Sequence, residues 1–254
     1  MTTTAVIVAP AREGIAGLAL GLLVDGLRAG IGVRGWAHLA LTGGSSAAAH
    51  FELLRTDPRA RRVDWSRVHV WQGDERFVPA DHPDRNWAGA LTGWLDAADG
   101  PGIPEAQLHP VPVDAAIEAG QDADAAAAAY SEELMGTLPR RGGVPAFDVL
   151  LLGVGGDGHI LSTFPGTAPV HEATVPALAV PAPTHIEPHL PRVTLAPFLL
   201  RGATSVIVMV PGAGKAAVVA DCFSSALDPQ RLPAQLAIRP NAVWLLEPGS
   251  AAEL

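Results

Sequence analysis

An acid and a histidine share a glycine-rich turn near the middle of the chain. Asp157 and His159 lie in the segment 153–159, in which four of the seven residues are glycine. Histidine has the side-chain pKa nearest neutrality, and a neighbouring carboxylate fixes its tautomer and supports its cationic form. A lone histidine is usually structural, but one in a glycine turn at a strand end favours general acid–base catalysis. We therefore expect His159 to transfer protons and Asp157 to orient it.

A second glycine-rich turn has the composition of an anion site. Gly43, Gly44, Ser45 and Ser46 follow a strand-like run and precede a helical pattern. Backbone N–H groups and two hydroxyl groups would then point outward at a helix N-terminus, an arrangement that suits a phosphate. Turns between strands and helices also need small residues for steric reasons, so a plain turn and an anion site both stay open. The turn lacks the lysine of a Walker loop, which argues against nucleotide binding.

Charged side chains follow a short apolar strand at residues 68–71. Asp74 and Arg76 belong to the Gly-Asp-Glu-Arg run directly after it. Most such clusters are solvated turns with an internal ion pair. The alternative is a role in binding, since an arginine binds phosphate or carboxylate through paired hydrogen bonds. In that case Asp74 lies at the same edge of the sheet as the turn that carries His159.

Two cations later in the chain are further candidates for anion binding. Lys215, the only lysine, follows Gly212 and Gly214 at a predicted helix start. The helix dipole disfavours an ammonium group there unless an anion is present, and local conflicts of this kind are typical of functional sites. Arg192 is either a second ligand for the anion or an ordinary solvated side chain.

The remaining polar residues do not predict a metal site or a nucleophile. His185 and His189 are four residues apart but lie among prolines, and no third ligand has the spacing of a zinc site. We therefore discount both histidines. Ser162 lies outside a nucleophile-elbow sequence, so we interpret it as a wall or hydrogen-bonding residue.

The elements that must position these residues are predicted from runs of apolar residues and their breakers. Strands are predicted at residues 5–9, 36–41, 68–71, 149–152, 177–180, 205–210 and 242–246. Helices are predicted from about residue 15, after residue 46, over 86–95, over 115–138 and from residue 215. This alternation predicts a doubly wound α/β fold with a mostly parallel sheet and helices on both faces. With no internal repeat and no long linker, we expect one domain over residues 1–254.

The run at residues 149–152 has a special place in this prediction. Four consecutive large apolar residues indicate a strand buried on both faces, in the middle of the sheet. Ligands of open α/β sheets bind beyond the carboxyl ends of the strands. The turn that carries Asp157 and His159 follows this strand, so it lies where such a fold places a site.

Composition excludes several classes of protein. Hydrophobic residues make up 48% and charged residues 17%, as in a packed globular protein. A net charge of −9 argues against nucleic-acid binding. One cysteine leaves no disulfide framework and fits a reducing compartment. The first apolar run ends at Pro10, and the stretch 14–24 is too short to span a bilayer. We expect a cytoplasmic protein with no membrane partner.

Three segments, together with the Gly-Gly-Ser turn, resemble the 6-phosphogluconolactonase family over nearly the whole chain. The segments are HVWQGDERFVPADHPDRNWA, LLLGVGGDGHILSTFPG and PRVTLAPFLLRGATSVIVMVPGAGKA. The sequence departs from the family pattern at a few positions. Arg85 replaces a usual serine, Ser46 and Ala47 replace a common Thr-Pro, and Leu161 and Thr163 differ beside Ser162.

The glucosamine-6-phosphate deaminases are related to the lactonases and share their fold. Their sequence at the corresponding turn is similar to Asp-Gly-His-Ile-Ala-Phe-Asn-Glu-Pro, with an acid before the proline. This chain has Phe164 before Pro165. The resemblance therefore favours a lactonase and leaves deaminase or isomerase activity as the alternative. A noncatalytic sugar-phosphate sensor on the same scaffold is a third possibility.

The resemblance implies hydrolysis of 6-phospho-D-glucono-1,5-lactone to 6-phosphogluconate, the second step of the oxidative pentose phosphate pathway. His159, oriented by Asp157, would be the general base for water. The phosphate would be held by Gly43 to Ser46, Arg192 and Lys215. Arg76 would bind either the phosphate or the developing carboxylate charge. Asp74 would order the loop or bind a sugar hydroxyl. No metal or organic cofactor is expected, because an activated lactone needs only water and a base. We expect a monomer or a small homo-oligomer.

Overall fold

The computed structural model describes residues 4–43, 45–96 and 100–254, and only the backbone of residues 45–47 and 168. Its α-helices are α1 (Arg12–Arg34), α2 (Ser45–Thr56), α3 (Asn86–Ala90), α4 (Val113–Glu118), α5 (Ala123–Thr137) and α6 (Ala216–Ser224). Its strands are β1 (Ala5–Val8), β2 (Ala37–Leu41), β3 (Val68–Gln72), β4 (Asp74–Arg76), β5 (Leu108–His109), β6 (Arg140–Arg141), β7 (Val144–Pro145), β8 (Val149–Gly153), β9 (Ala177–Val180), β10 (Arg192–Leu195), β11 (Ser205–Val210) and β12 (Ala242–Leu246).

Seven strands form one parallel sheet in the order β1-β12-β11-β8-β2-β3-β5. The predicted α/β class is confirmed. Strand β8 is the central strand, paired with β11 on one side and β2 on the other. Its residues 149–152 are all buried, as the apolar run predicts.

The two faces of the sheet carry two separate cores. Leu150 and Leu152 of β8 point into a core shared with α5 and α6. Val149 and Leu151 point into a second core shared with α1 and α2. Because successive side chains of a strand alternate between faces, one continuous apolar run supplies both cores. Helices on both faces make the sheet doubly wound.

Helix α1 is longer than the apolar stretch that indicates it. It spans 23 residues, and by length and composition alone it is the one helix among the described residues that is apolar enough to cross a membrane. Eight of its residues are buried, among them Leu20, Leu23 and Leu27, which pack against the sheet. Its apolar character is therefore that of a core helix.

The single long helix predicted over residues 115–138 is wrong. The chain forms α4 and α5 instead, with a break between them at Gly120, whose φ of +66° is left-handed. Asp122 then caps α5 by accepting a hydrogen bond from the N–H of Ala125. The predicted apolar stripe of Tyr130, Leu134 and Leu138 is confirmed, since all three are buried.

A second, antiparallel sheet crosses the carboxyl end of the parallel sheet. Its strand order is β4-β10-β9. The strand predicted at residues 177–180 is confirmed as β9, but the interpretation of residues 74–76 as a solvated turn is wrong. They form β4, in which Asp74 and Glu75 are buried. This small sheet sets β10 beside the turn after β3.

Candidate active site

A cleft of about 240 Å³ lies beyond the carboxyl ends of the four adjacent strands β3, β2, β8 and β11. Most of the residues singled out from the sequence line it: Gly43, Asp74, Arg76, His159, Arg192 and Lys215. Gly44 lies outside the described residues, as do the side chains of Ser45 and Ser46. Asp157 stands behind His159 and lines a neighbouring cleft.

Asp157 holds His159 by two hydrogen bonds. Its Oδ1 lies 2.5 Å from Nδ1 of the imidazole and 3.2 Å from the backbone nitrogen of His159, which donates to it. With a proton on Nδ1 shared with the carboxylate, Nε2 carries the free lone pair of the neutral ring. The His159 side chain is about one-fifth exposed (19%), so it is reachable from the cleft. This arrangement suits a general base.

The ionisation of Asp157 fits that role. Burial acts to raise the pKa of Asp157, but hydrogen bonds from His159 and His185 and attraction to the His159 ring outweigh it. The pKa consequently lies well below its usual value. The carboxylate stays ionised at neutral pH and is able to stabilise an imidazolium.

Gly155 leaves the space that the side chains of His159 and Asp157 occupy. A Cβ on Gly155 would lie 2.0 Å from Nδ1 of His159 and 2.5 Å from Oδ1 of Asp157. No side chain fits there without displacing the hydrogen-bonded pair. Position 155 therefore needs glycine for the space that it leaves and not for its backbone conformation, since the φ of Gly155 lies outside the left-handed range.

Arg76 and Arg192 occupy opposite positions in the second sheet. They are directly paired in the β4–β10 ladder, and Arg192 is only 4% exposed. Nε of each arginine is buried and makes no hydrogen bond to the described residues. Burial lowers the pKa of Arg192, while the charge of Asp74 opposes that shift. Interpreting Arg192 as an ordinary solvated side chain is therefore wrong.

Two like charges directly opposite each other destabilise a sheet. A bound anion between the two guanidinium groups would remove that penalty. Because both arginines line the cleft, this end of it is suited to an anion.

Lys215 lies at the start of α6, as the sequence predicts. It approaches the turn that carries His159, because its Nζ is 3.8 Å from the position that a Cβ on Gly156 would take. Burial lowers the pKa of Lys215, and attraction by Asp157 opposes the change. The ammonium group thus joins the arginines as a cation of the cleft.

Asp74 and Ser162 are joined by a buried hydrogen bond. The hydroxyl of Ser162 donates to Oδ2 of Asp74 at 2.6 Å, and the amide of Asn86 donates to the backbone oxygen of Asp74 at 3.1 Å. Ser162 is fully buried, which agrees with its interpretation as a hydrogen-bonding residue. Asp74 is held from two sides at the cleft wall.

Arg85, where the sequence departs from the family pattern, lies outside the cleft. Its guanidinium is buried and contacts Glu75 at 3.3 Å, Asp114 at 2.8 Å and the backbone oxygen of Val78 at 2.5 Å. Glu75 in turn accepts hydrogen bonds from the backbone N–H groups of Asn86 and Trp87 at the start of α3. Arg85 thus supports the loop behind the cleft.

Several residues of the site were not singled out from the sequence. Arg12, at the start of α1, adds a fourth cation to the cleft. Leu161 also lines it, and it alone among the described non-glycine residues has a positive φ, of 55°. His185, discounted because of its prolines, lies 2.8 Å from Oδ2 of Asp157. A cation beside a predicted helix start was a usable signal for Arg12, whereas nothing local indicates His185.

Among the residues that the structure describes, no group of three or more His, Cys, Asp or Glu side chains has the arrangement of a metal site.

A family model described as glucosamine-6-phosphate isomerases/6-phosphogluconolactonase matches residues 11–245. The chain belongs to this family. It is similar to proteins named 6-phosphogluconolactonase from Mycobacterium tuberculosis, at 38% identity over 91% of both chains, and from Synechocystis, at 38% identity over 85% of this chain and 84% of the relative.

Solved structures support the same assignment of fold. The 6-phosphogluconolactonase of Trypanosoma brucei superposes with a TM-score of 0.87 at 26% identity, over the full length of both chains. A monomeric glucosamine-6-phosphate deaminase superposes with a TM-score of 0.79 at 15% identity, over 99% of this chain and all of the deaminase. The second likeness shows only the shared fold.

Proposed function

We propose that this chain hydrolyses 6-phospho-D-glucono-1,5-lactone to 6-phosphogluconate, acting as one α/β domain in the cytoplasm. The observation that carries the proposal is the His159–Asp157 pair, which faces a cleft lined by four cations. The substrate presents a phosphate at one end and an ester carbonyl at the other. A base at one side of a cationic cleft matches that distribution of charge.

In this mechanism Nε2 of His159 takes a proton from a water molecule that attacks C1 of the lactone. Asp157 remains ionised and stabilises the imidazolium that forms. The C1–ring oxygen bond of the tetrahedral intermediate then breaks, and His159 returns the proton to the departing oxygen. General acid–base catalysis of this kind contributes about 10²–10⁴-fold. Positioning and electrostatic stabilisation supply the remainder.

The phosphate is held at the cationic end of the cleft. Arg192 and Lys215 are the principal ligands, with the turn at residues 43–46 at the N-terminus of α2. Arg76 binds the phosphate or the charge that develops on the carbonyl oxygen. Asp74, held by Ser162, accepts a hydrogen bond from a sugar hydroxyl or orders the loop. No metal or cofactor takes part, because water and a base suffice for an activated ester.

The experiment is a lactone-hydrolysis assay with freshly made substrate, corrected for spontaneous hydrolysis. We expect turnover by the wild-type chain and a loss of about 10²–10⁴-fold in kcat for His159→Ala. His171→Ala, at an exposed histidine, is the matched control and should behave as wild type. Near-normal activity in a folded His159→Ala variant would exclude His159 as the base.

Glucosamine 6-phosphate serves as the counter-screen for the deaminase alternative. Phe164, the residue before Pro165, is 1% exposed and packs on the His159 ring at 4.8 Å, so no acid is supplied from that position. We expect no ammonia release. Binding of 6-phosphogluconate without lactone turnover would instead support the noncatalytic sensor.

A further inference from the structure

His185 contacts the catalytic pair from the side away from the cleft. Its Nε2 lies 2.8 Å from Oδ2 of Asp157, the carboxylate oxygen that His159 leaves free. Asp157 therefore bridges two imidazole rings, one through each oxygen. His185 is absent from the lining of the catalytic cleft and belongs to the neighbouring one, of about 570 Å³.

The carboxylate needs a second contact to stay in one orientation. The last torsion of an aspartate joins an sp³ and an sp² carbon, and its energy profile is broad. Both hydrogen bonds from His159 reach Oδ1, so that residue places no restraint on Oδ2. A second donor on Oδ2 fixes both oxygens, and with them the ring of His159.

The His185 ring is itself held in place by packing. It makes an edge contact with Phe164 at 5.8 Å between ring centroids, and Phe164 also packs on His159 and lies under the guanidinium of Arg192. Phe164 thus contacts both histidines. The charged groups that act on Asp157 from the cleft side are Lys215 and Arg192. The outer cleft adds Asp221 and Arg231, which are paired with each other.

We propose that His185 is a positioning residue for lactone hydrolysis, which acts by donating a hydrogen bond to Asp157 and thereby fixing His159. This inference rests on the proposed function. His185 contacts Asp157 and does not line the catalytic cleft. We therefore expect a substitution of His185 to alter the chemical step and to leave substrate binding unchanged.

Two substitutions separate the hydrogen bond from the packing. His185→Gln keeps a donor close to the position of Nε2, whereas His185→Phe keeps a ring beside Phe164 and removes the donor. We expect His185→Phe to lower kcat by about tenfold, the order for one hydrogen bond to a charged group, with KM within about twofold. His185→Gln should stay within about threefold of wild type.

A double-mutant cycle shows whether His185 acts through Asp157. In an Asp157→Asn background, His185→Phe should change kcat by less than about twofold. An equal loss in both backgrounds would overturn the proposal, as would wild-type kcat in His185→Phe.

NMR of the proton between Nδ1 of His159 and Oδ1 of Asp157 gives a readout without substrate. With Asp157 no longer held at Oδ2, the low-field resonance of this proton should broaden or move upfield in His185→Phe and should match wild type in His185→Gln. An unchanged resonance in His185→Phe overturns the proposal even if the chain does not hydrolyse the lactone. Absence of wild-type turnover with the expected NMR change would contradict only the proposed function.

Discussion

Arg76 and Arg192 stand directly opposite each other in the β4–β10 ladder, and Nε of each is buried without a hydrogen bond to the described residues. Like charges in this position repel each other and destabilise the sheet. Under the proposed function a bound phosphate would offset that repulsion, so the pair would link substrate binding to the stability of the second sheet.

Arg192→Met should weaken binding while it relieves repulsion. We expect KM to rise by about 10–100-fold, as for loss of a charge-assisted contact, with a smaller change in kcat. The melting temperature without ligand should stay the same or rise, and the increase that inorganic phosphate gives the wild type should be lost. Arg201→Met, at an exposed arginine, is the control. A KM equal to that of wild type would remove Arg192 from the anion site.

Gly155→Ala should impair catalysis through the position of His159. The new methyl group would overlap Nδ1 of His159 and Oδ1 of Asp157, so the pair must separate. We expect kcat to fall by at least about 10²-fold, the lower bound for loss of a general base, in a protein that remains folded by circular dichroism. Gly136→Ala, in α5 with open space around it, should keep full activity and gain up to about 1 kcal/mol of stability. Full activity in Gly155→Ala would show that the turn tolerates a side chain.

Arg85→Ser should affect stability more than substrate binding. The change leaves the buried carboxylate of Glu75 without its cation, and breaking such a pair costs about 3 kcal/mol. We expect a lower free energy of unfolding by urea denaturation and a KM within about twofold of wild type. A large rise in KM with unchanged stability would place Arg85 in the substrate site. Arg67→Ser, at an exposed arginine, is the control for loss of charge.

His50 should make stability fall as the pH decreases. Burial lowers the pKa of His50 from 6.5 to about 4, against an opposing contact with the backbone of Ala16. Between these values the unfolded chain binds a proton that the folded chain does not, so the free energy of unfolding rises with pH. The slope from one such group is at most about 1.4 kcal/mol per pH unit.

His50→Leu should reduce that slope over the window from pH 4 to 6.5, in urea denaturation repeated at several pH values. His38, whose pKa burial lowers to about 3, retains its own contribution in this variant. His171→Leu, at an exposed site, should leave the slope unchanged. An identical slope in His50→Leu and wild type would contradict the prediction.

The central strand and its turn could be predicted from the sequence because their signals are local. Four apolar residues in a row indicate burial on both faces, and the glycines that follow mark the end of β8. The approximate positions of Asp157 and His159 at the carboxyl edge of the sheet follow from the same short segment. Lys215 at a helix start was visible for the same reason.

The second sheet could not be predicted, because its pairing is tertiary. Strand β4 has three residues, and its partner β10 lies more than 100 residues later in the chain. The burial of Arg192 and its position opposite Arg76 depend on that pairing. The contact of His185 with Asp157 likewise depends on the path of a proline-rich segment, which local propensity does not determine. The prediction of a single helix in the alanine-rich region was wrong for another reason, since the high helix propensity of the region concealed the break at Gly120.

The order of strands in the parallel sheet has a consequence during synthesis of the chain. Strand β8 lies between β2, near the N-terminus, and β11, which carries the chain into Lys215. A nascent chain that has emerged only as far as residue 159 contains β8 but not β11, so one edge of β8 has no partner strand. The parallel sheet is complete only after β11 and β12 have emerged, and until then the open edge of β8 is liable to pair with other chains.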